Sequence, residues 1–178
     1  MVARISVGKN LYGALAYNQN KVDEGGAKVL SAHLLRYPED GRFRPDESVR
    51  QFLEWMPNHY RTEKPVIHIS LNPHPDDVLT DGQLAEIGRE YMQRLGYGNQ
   101  PYLVFKHEDI GRHHIHIVSL RVDSEGRKVS DKFEYRRSKE ITELLEQKYG
   151  LHPAEGRKKG EEWQLKPCLL YTSPSPRD

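Results

Sequence analysis

The run His107-Glu108-Asp109-Ile110-Gly111-Arg112-His113-His114-Ile115-His116 decides how the rest of the chain is read. His114 and His116 open a stretch, His-Ile-His-Ile-Val-Ser-Leu-Arg-Val, with the apolar and β-branched content of a strand. Alternate side chains of a strand share a face, so these two histidines point the same way, with α-carbons ~7 Å apart. Ile115 and Ile117 then point into a core. Upstream, Tyr102 to His107 is a second short apolar run. The six residues between His107 and His114 include Gly111 and suit a hairpin connection. Antiparallel pairing brings His107 beside His114 and lets three imidazoles converge.

Neutral imidazole ligates zinc, copper, iron, nickel or manganese. Three protein ligands leave coordination positions open, as a catalytic metal site requires. Asp109 is a candidate to accept a hydrogen bond from a ligand's second ring nitrogen and so fix its tautomer. The chain holds 9 His, and a random order would give roughly 0.45 His-x-His pairs, so that pair alone carries little weight. Requiring His-x-Asp at the observed distance upstream cuts the expectation to roughly one in a thousand, which makes the spacing a signal. The competing reading is a hairpin with exposed histidines.

Two flanking pieces bear on the same centre. Val66 to Leu71 alternates, with Ile67, Ile69 and Leu71 on one face and Val66, His68 and Ser70 on the other. It reads as a central strand whose polar face looks toward the histidine hairpin. His68 is there as an outer-shell group or a phosphate contact, or as a satisfied structural histidine. Near the N-terminus, Gly8 to Asn20 carries Leu11, Tyr12 and Leu15 at helical spacing and predicts a helix with Tyr17 near its end. Asn18 and Asn20 are poor helix formers and favour an end there. Tyr12 and Tyr17 lie five apart, ~140° around a helix, and cannot share a face. Tyr12 groups with Leu11 and Leu15 as a packing residue, and Tyr17, from its position alone, reads as a core residue before a catalytic one.

The remaining elements follow from punctuation. Val2 to Val7 reads as a first strand, and Lys21 to Ala32 as a mobile turn around Gly25-Gly26. Pro45 to Met56 predicts a helix with proline at its first position and acids in its first turn. Thr80 to Leu95 predicts another, opened by a capping box of Thr80 and Gln83 and stopped by Gly96 and Gly98. Asp123 to Gly126 is a turn into a short strand from about Arg127 to Ser130. Arg136 to Tyr149 is a helix closed by Gly150. Strands, hairpins and helices in this order predict an α+β fold, with an antiparallel or mixed central sheet and helices packed mainly on one face.

Composition narrows the class. A chain of 178 residues with 36% hydrophobic and 30% charged residues is long enough for one domain with a real core. There is no apolar run of membrane-spanning length, so no membrane insertion is expected. The N-terminus lacks the apolar segment of a signal peptide, and the one cysteine, Cys168, fits a reducing cytoplasm. The net charge is +1, so any phosphate-binding surface must be local. Lys106 and Arg112, which flank the histidine motif, are the candidate phosphate contacts, with idle surface charge as the alternative.

The pattern His-x-Asp-x-x-x-x-His-x-His, followed by a hydrophobic strand and Arg121-Val122-Asp123, resembles the metal-binding motif of the relaxase/mobilisation nuclease family. Members are MobP-like conjugative relaxase domains within the wider HUH (His-hydrophobic-His) endonucleases. The resemblance takes in Leu15-Ala16-Tyr17-Asn18, His68 to Pro73 and the helix after it, so it runs from the N-terminus to about residue 150. It implies a metal held by His107, His114 and His116, with Tyr17 and Asp109 as catalytic residues. Mn2+ or Mg2+ is the implied cofactor, with Zn2+ as a further option. Tyr17 would attack single-stranded DNA at an origin of transfer, form a 5′-phosphotyrosine link and free a 3′-hydroxyl. Accessory mobilisation proteins and a coupling protein are the implied partners, in the bacterial cytoplasm. In rolling-circle replication initiators the tyrosine follows the histidine motif; here residue 17 precedes residue 114, which favours mobilisation. The alternatives are an initiator-type nuclease, a non-catalytic DNA-binding module with a structural metal, a bare zinc hydrolase, and a phosphoesterase with two His-x-Ser/Thr motifs. The last lacks a second copy of His68-Ile69-Ser70.

Residues 1–166 are expected to form this domain, truncated from a longer protein. Arg157-Lys158-Lys159 reads as a solvated surface. The tail from Pro167 to Asp178 has no packing pattern and looks foreign to the domain, so Cys168 within it carries no functional weight.

Overall fold

A computed structural model describes residues 1–108 and 113–154. Asp109, Arg112, the basic segment Arg157-Lys158-Lys159 and the tail 167–178 lie outside the described residues. The fold is α+β: one five-stranded antiparallel sheet with four helices. The elements are β1 (Val2–Gly8), α1 (Leu11–Asp23), β2 (Ala27–His33), α2 (Pro45–Leu53), β3 (Val66–Asn72), α3 (Asp81–Met92), β4 (Tyr102–His107), β5 (His114–Leu120) and α4 (Glu134–Tyr149). The strands lie in the order β1-β3-β5-β4-β2, every neighbouring pair antiparallel.

Strand alternation gives the sheet two different faces. Ile67, Ile69 and Leu71 of β3, Val104 of β4, and Ile115 and Ile117 of β5 form a core with Leu84, Ile87 and Tyr91 of α3 and Ile141 and Leu145 of α4. Val66, Leu103, Phe105, Val118 and Leu120 on the opposite face pack with Leu11, Ala14 and Leu15 of α1 and Phe52 of α2. The helices thus divide two and two between the faces. All seven residues of β5 are buried, as expected for the middle strand of five.

Local chemistry explains most boundaries. α1 starts at Asn10, whose Oδ1 accepts from the Gly13 amide at 2.8 Å. α3 has the capping box: Gln83 N donates to Thr80 Oγ1 at 3.1 Å, and Thr80 N to Gln83 Oε1 at 2.9 Å. A π-helical turn, Gln93–Tyr97, follows α3, with Gly96 at φ 106° where a side chain would be strained. Gly150 closes α4 in the left-handed region at φ 65°.

Five expectations need correction. The helices pack two on each face of the sheet, not mainly on one, because both faces carry apolar residues that must be covered. α1 runs through Asn18 and Asn20 to Asp23, because Asn18 is buried and its amide donates to the Ala14 carbonyl rather than breaking the helix. Tyr12 does not pack: Leu11 and Leu15 face inward, and Tyr12, ~100° around the helix from Leu11, is 55% exposed. The turn at Gly25-Gly26 leads into β2, an edge strand that Ala-Lys-Val-Leu-Ser-Ala-His does not announce by alternation. Its register shifts between Val29 and Ser31, and such a bulge puts the pattern out of phase. The segment after Gly126 forms only an isolated bridge, Val122 with Lys128, not a strand.

Gly88 lets α3 lie close on the sheet. A Cβ there would come within 3.2 Å of Ile115 Cδ1 and 3.5 Å of Val104 Cγ1. Gly88→Val should therefore overpack the core and cost about 1–3 kcal/mol, read as a lower urea midpoint with an unchanged slope.

Candidate metal centre and active site

The site is set by the β4–β5 register. His107 lies directly opposite His114, and His116 is two residues further along β5 on the same face. Directly opposed residues have Cβ atoms about 4.5–5.5 Å apart, close enough for two imidazoles to share a cation. One donor nitrogen from each of His107, His114 and His116 lies within 4.8 Å of the others. Ring centroids are 4.0 Å apart for His107–His116, 4.9 Å for His114–His116 and 5.3 Å for His107–His114. All three side chains are buried, at 1%, 5% and 9% exposure for His107, His114 and His116. Among the described residues this is the one cluster with the geometry of a metal site.

Burial acts on the charge state of one member of the cluster. His116 is held well below the ordinary imidazole pKa, first by desolvation, then by repulsion from His68, His107 and His114. A ring that stays neutral keeps a lone pair for a cation, and imidazole nitrogens suit a borderline divalent ion. The donor set therefore fits the metal that the sequence motif implies.

β3 supplies a fourth imidazole. His68 stands opposite Val118, diagonal to His116, and its Nε2 lies 3.1 Å from His116 Nδ1. Burial pushes its pKa down to about 4, so at neutral pH one ring can donate and the other accept. His68 is thus buried and in contact with His116, one of the three clustered rings.

α1 brings the tyrosine. Its inward stripe of Leu11, Ala14, Leu15 and Asn18 packs onto the histidine face of the sheet, with Tyr17 at the edge of that stripe, half-buried. The Tyr17 ring lies 6.3 Å from His107, stacked at 24°, and 6.5 Å from His116. The structure thus brings together Tyr17, His68, His107, His114 and His116.

Lys106 is not part of this group. It alternates to the opposite face of β4, where its ammonium binds Asp81 at 2.7 Å and Glu108 at 2.8 Å. Lys106 therefore points away from the histidines, because one residue along a strand reverses the face.

One residue at the site escaped the sequence reading. Asn18, fully buried, places Oδ1 2.8 Å from His107 Nε2. The available signal was a polar residue on the apolar stripe of α1, three residues after Leu15 and beside the tyrosine.

A sheet with two histidines alternating on one strand and a third on its neighbour, faced by a tyrosine from a packed helix, defines a histidine-triad domain of the HUH kind. The family model for relaxases, described as the MobA/VirD2-like nuclease domain, matches residues 17–151, and the chain belongs to that family. It is a relaxase nuclease domain in which His107, His114 and His116 form a buried cluster whose geometry could hold a divalent metal ion. No curated protein matches the chain. None of the described helices is long and apolar enough to cross a membrane.

Replacing any one of His107, His114 or His116 by alanine should lower Mn2+ affinity at least 100-fold in calorimetric titration. The far-ultraviolet circular dichroism of each variant should match the wild type, which separates loss of the ligand from loss of the fold.

Proposed function

We propose that this domain nicks one DNA strand at an origin of transfer by attack of the Tyr17 oxygen on a phosphodiester held at the His107–His114–His116 centre, for conjugative mobilisation. The observation that carries the reading is the Tyr17 ring within 6.5 Å of both His107 and His116. In the attack a bond forms between the phenolic oxygen and phosphorus, and the bond from phosphorus to the 3′ oxygen breaks. The phenol gives up its proton and the departing oxygen takes one, which leaves a 5′-phosphotyrosine and a free 3′-hydroxyl. The phosphodiester bond energy is retained in the covalent link, so the 3′-hydroxyl can reverse the step.

A free phenol titrates near ~10, so little phenolate exists at neutral pH. A bound divalent cation would supply Lewis-acid stabilisation of the charge that builds on phosphate. The part of His107, His114 and His116 would be to hold that cation in place. His68 orients His116 through the contact between their rings. Asp109 keeps its proposed catalytic role as an acceptor for a ligand ring, and Arg112 its role as a phosphate contact. Mn2+ or Mg2+ is the proposed ion, with Zn2+ also suited to three imidazoles. The target strand must be single-stranded or extruded, because a base-paired phosphate cannot enter a half-buried site. Accessory mobilisation proteins and a coupling protein are the proposed partners. The position of Tyr17 before the histidine motif supports transfer over replication initiation.

Incubation with Mn2+ and a single-stranded oligonucleotide that carries the origin should yield a covalent protein–DNA adduct, mapped to Tyr17 by peptide mass. Tyr17→Phe should abolish nicking and retain oligonucleotide binding; normal cutting by that variant would remove Tyr17 as the nucleophile. His68→Phe should slow nicking about 10- to 100-fold with oligonucleotide affinity unchanged. A wild-type rate would make His68 a packing residue only.

A further inference from the structure

We infer that Asn18 is a positioning residue that locks the ring of His107 to the helix carrying Tyr17, so that the metal centre and the phenol are set by one buried hydrogen bond. The inference rests on the reading of the triad as a metal centre and deepens it.

The orientation of the Asn18 amide follows from its partners. Nδ2 lies 2.8 Å from the Ala14 carbonyl oxygen, and a carbonyl can only accept, so the NH2 end must face Ala14. The carboxamide oxygen is then left facing His107 Nε2 at 2.8 Å. An oxygen only accepts, so Nε2 must carry the hydrogen, and the ring is fixed in the Nε2–H tautomer. The reverse orientation would set two oxygens against each other across the same short gap. Both Asn18, fully buried, and His107, at 1% exposure, are out of reach of water, so neither end has a solvent substitute.

Asn18 is adjacent to Tyr17 on α1, and the bond to His107 spans 89 residues of sequence. A packing role alone does not account for it. A buried asparagine that only filled space would leave its oxygen unsatisfied, and leucine would serve better. An acceptor on the outer nitrogen of a ligand ring fixes its tautomer and aim, and loss of such a group typically lowers metal affinity 10- to 100-fold. Here that acceptor sits on the turn of helix that presents the nucleophile, so a shift of α1 moves both together.

The test uses two variants of the whole chain and one measurement on the wild type. Long-range 1H–15N spectra of the metal-free protein should show His107 as the Nε2–H tautomer; an Nδ1–H ring there overturns the inference. Asn18→Leu, close in volume, should bind Mn2+ about 10- to 100-fold more weakly. It should also lower kcat for nicking with KM for the oligonucleotide unchanged. Wild-type Mn2+ affinity in a folded Asn18→Leu protein overturns the inference. Asn18→Asp keeps an oxygen toward the ring and loses the donor to Ala14, so it should hold Mn2+ far better than Asn18→Leu. Equal weakness in both variants assigns the effect to the helix contact and overturns the inference as well. His114→Ala run alongside separates the underlying reading: if it binds Mn2+ like the wild type, the metal centre itself fails. Nicking by Tyr17→Phe would sink the nucleophile assignment and leave the effect of Asn18 on metal affinity standing.

Discussion

The pairing of His107 with His114 across β4 and β5 sets the position of every other group at the centre. Side chains on a strand have a period of two, so a slip of one residue would send His107 to the face that now holds Val104 and Lys106. The slip is resisted by the apolar residues between the histidines. Ile115 and Ile117 are fully buried against α3, and moving them to the α1 face would strand their area against polar groups. The same alternation that fills one core therefore places three imidazoles on the other side.

That arrangement has an electrostatic consequence. Four imidazoles under a packed helix are tolerable only if they stay neutral, and desolvation keeps His68 and His116 in that state. Each neutral ring needs a donor or an acceptor for its outer nitrogen. His68 meets His116 and Asn18 meets His107, so one further strand, β3, and one helix, α1, are bound to the cluster by short polar contacts as well as by packing. Such contacts are directional where apolar packing is not, and they tie α1 to the hairpin at a definite angle.

Much of this was legible from the chain alone, for identifiable reasons. The histidine spacing, the two-residue alternation of β3 and β5, and the capping box at Thr80 are local signals, and each appears where it was expected. β2 was missed because an edge strand buries little, lacks alternation and carries a bulge. Tyr12 was misplaced because helical spacing gives a stripe but not its width: Leu11 and Leu15 lie inside the buried arc and Tyr12 just outside it. Asn18 was read as a helix breaker, since asparagine's local preference is all that a linear reading weighs. Its burial and its bond to a histidine 89 residues away exist only after folding.

The sequence by itself determined which residue types could bind a cation, which of them share a strand face, and that a tyrosine precedes them. Those properties depend on chemistry and on a period of two, both local. The tertiary structure alone decided that α1 lies over the histidine face rather than the other one. It also decided that Lys106 is spent on Asp81 behind the sheet, and that Tyr17, His68 and Asn18 meet the triad. The physical reason is that strand order and helix placement are settled by the burial of two whole apolar faces at once, a global condition that no short stretch of the chain encodes.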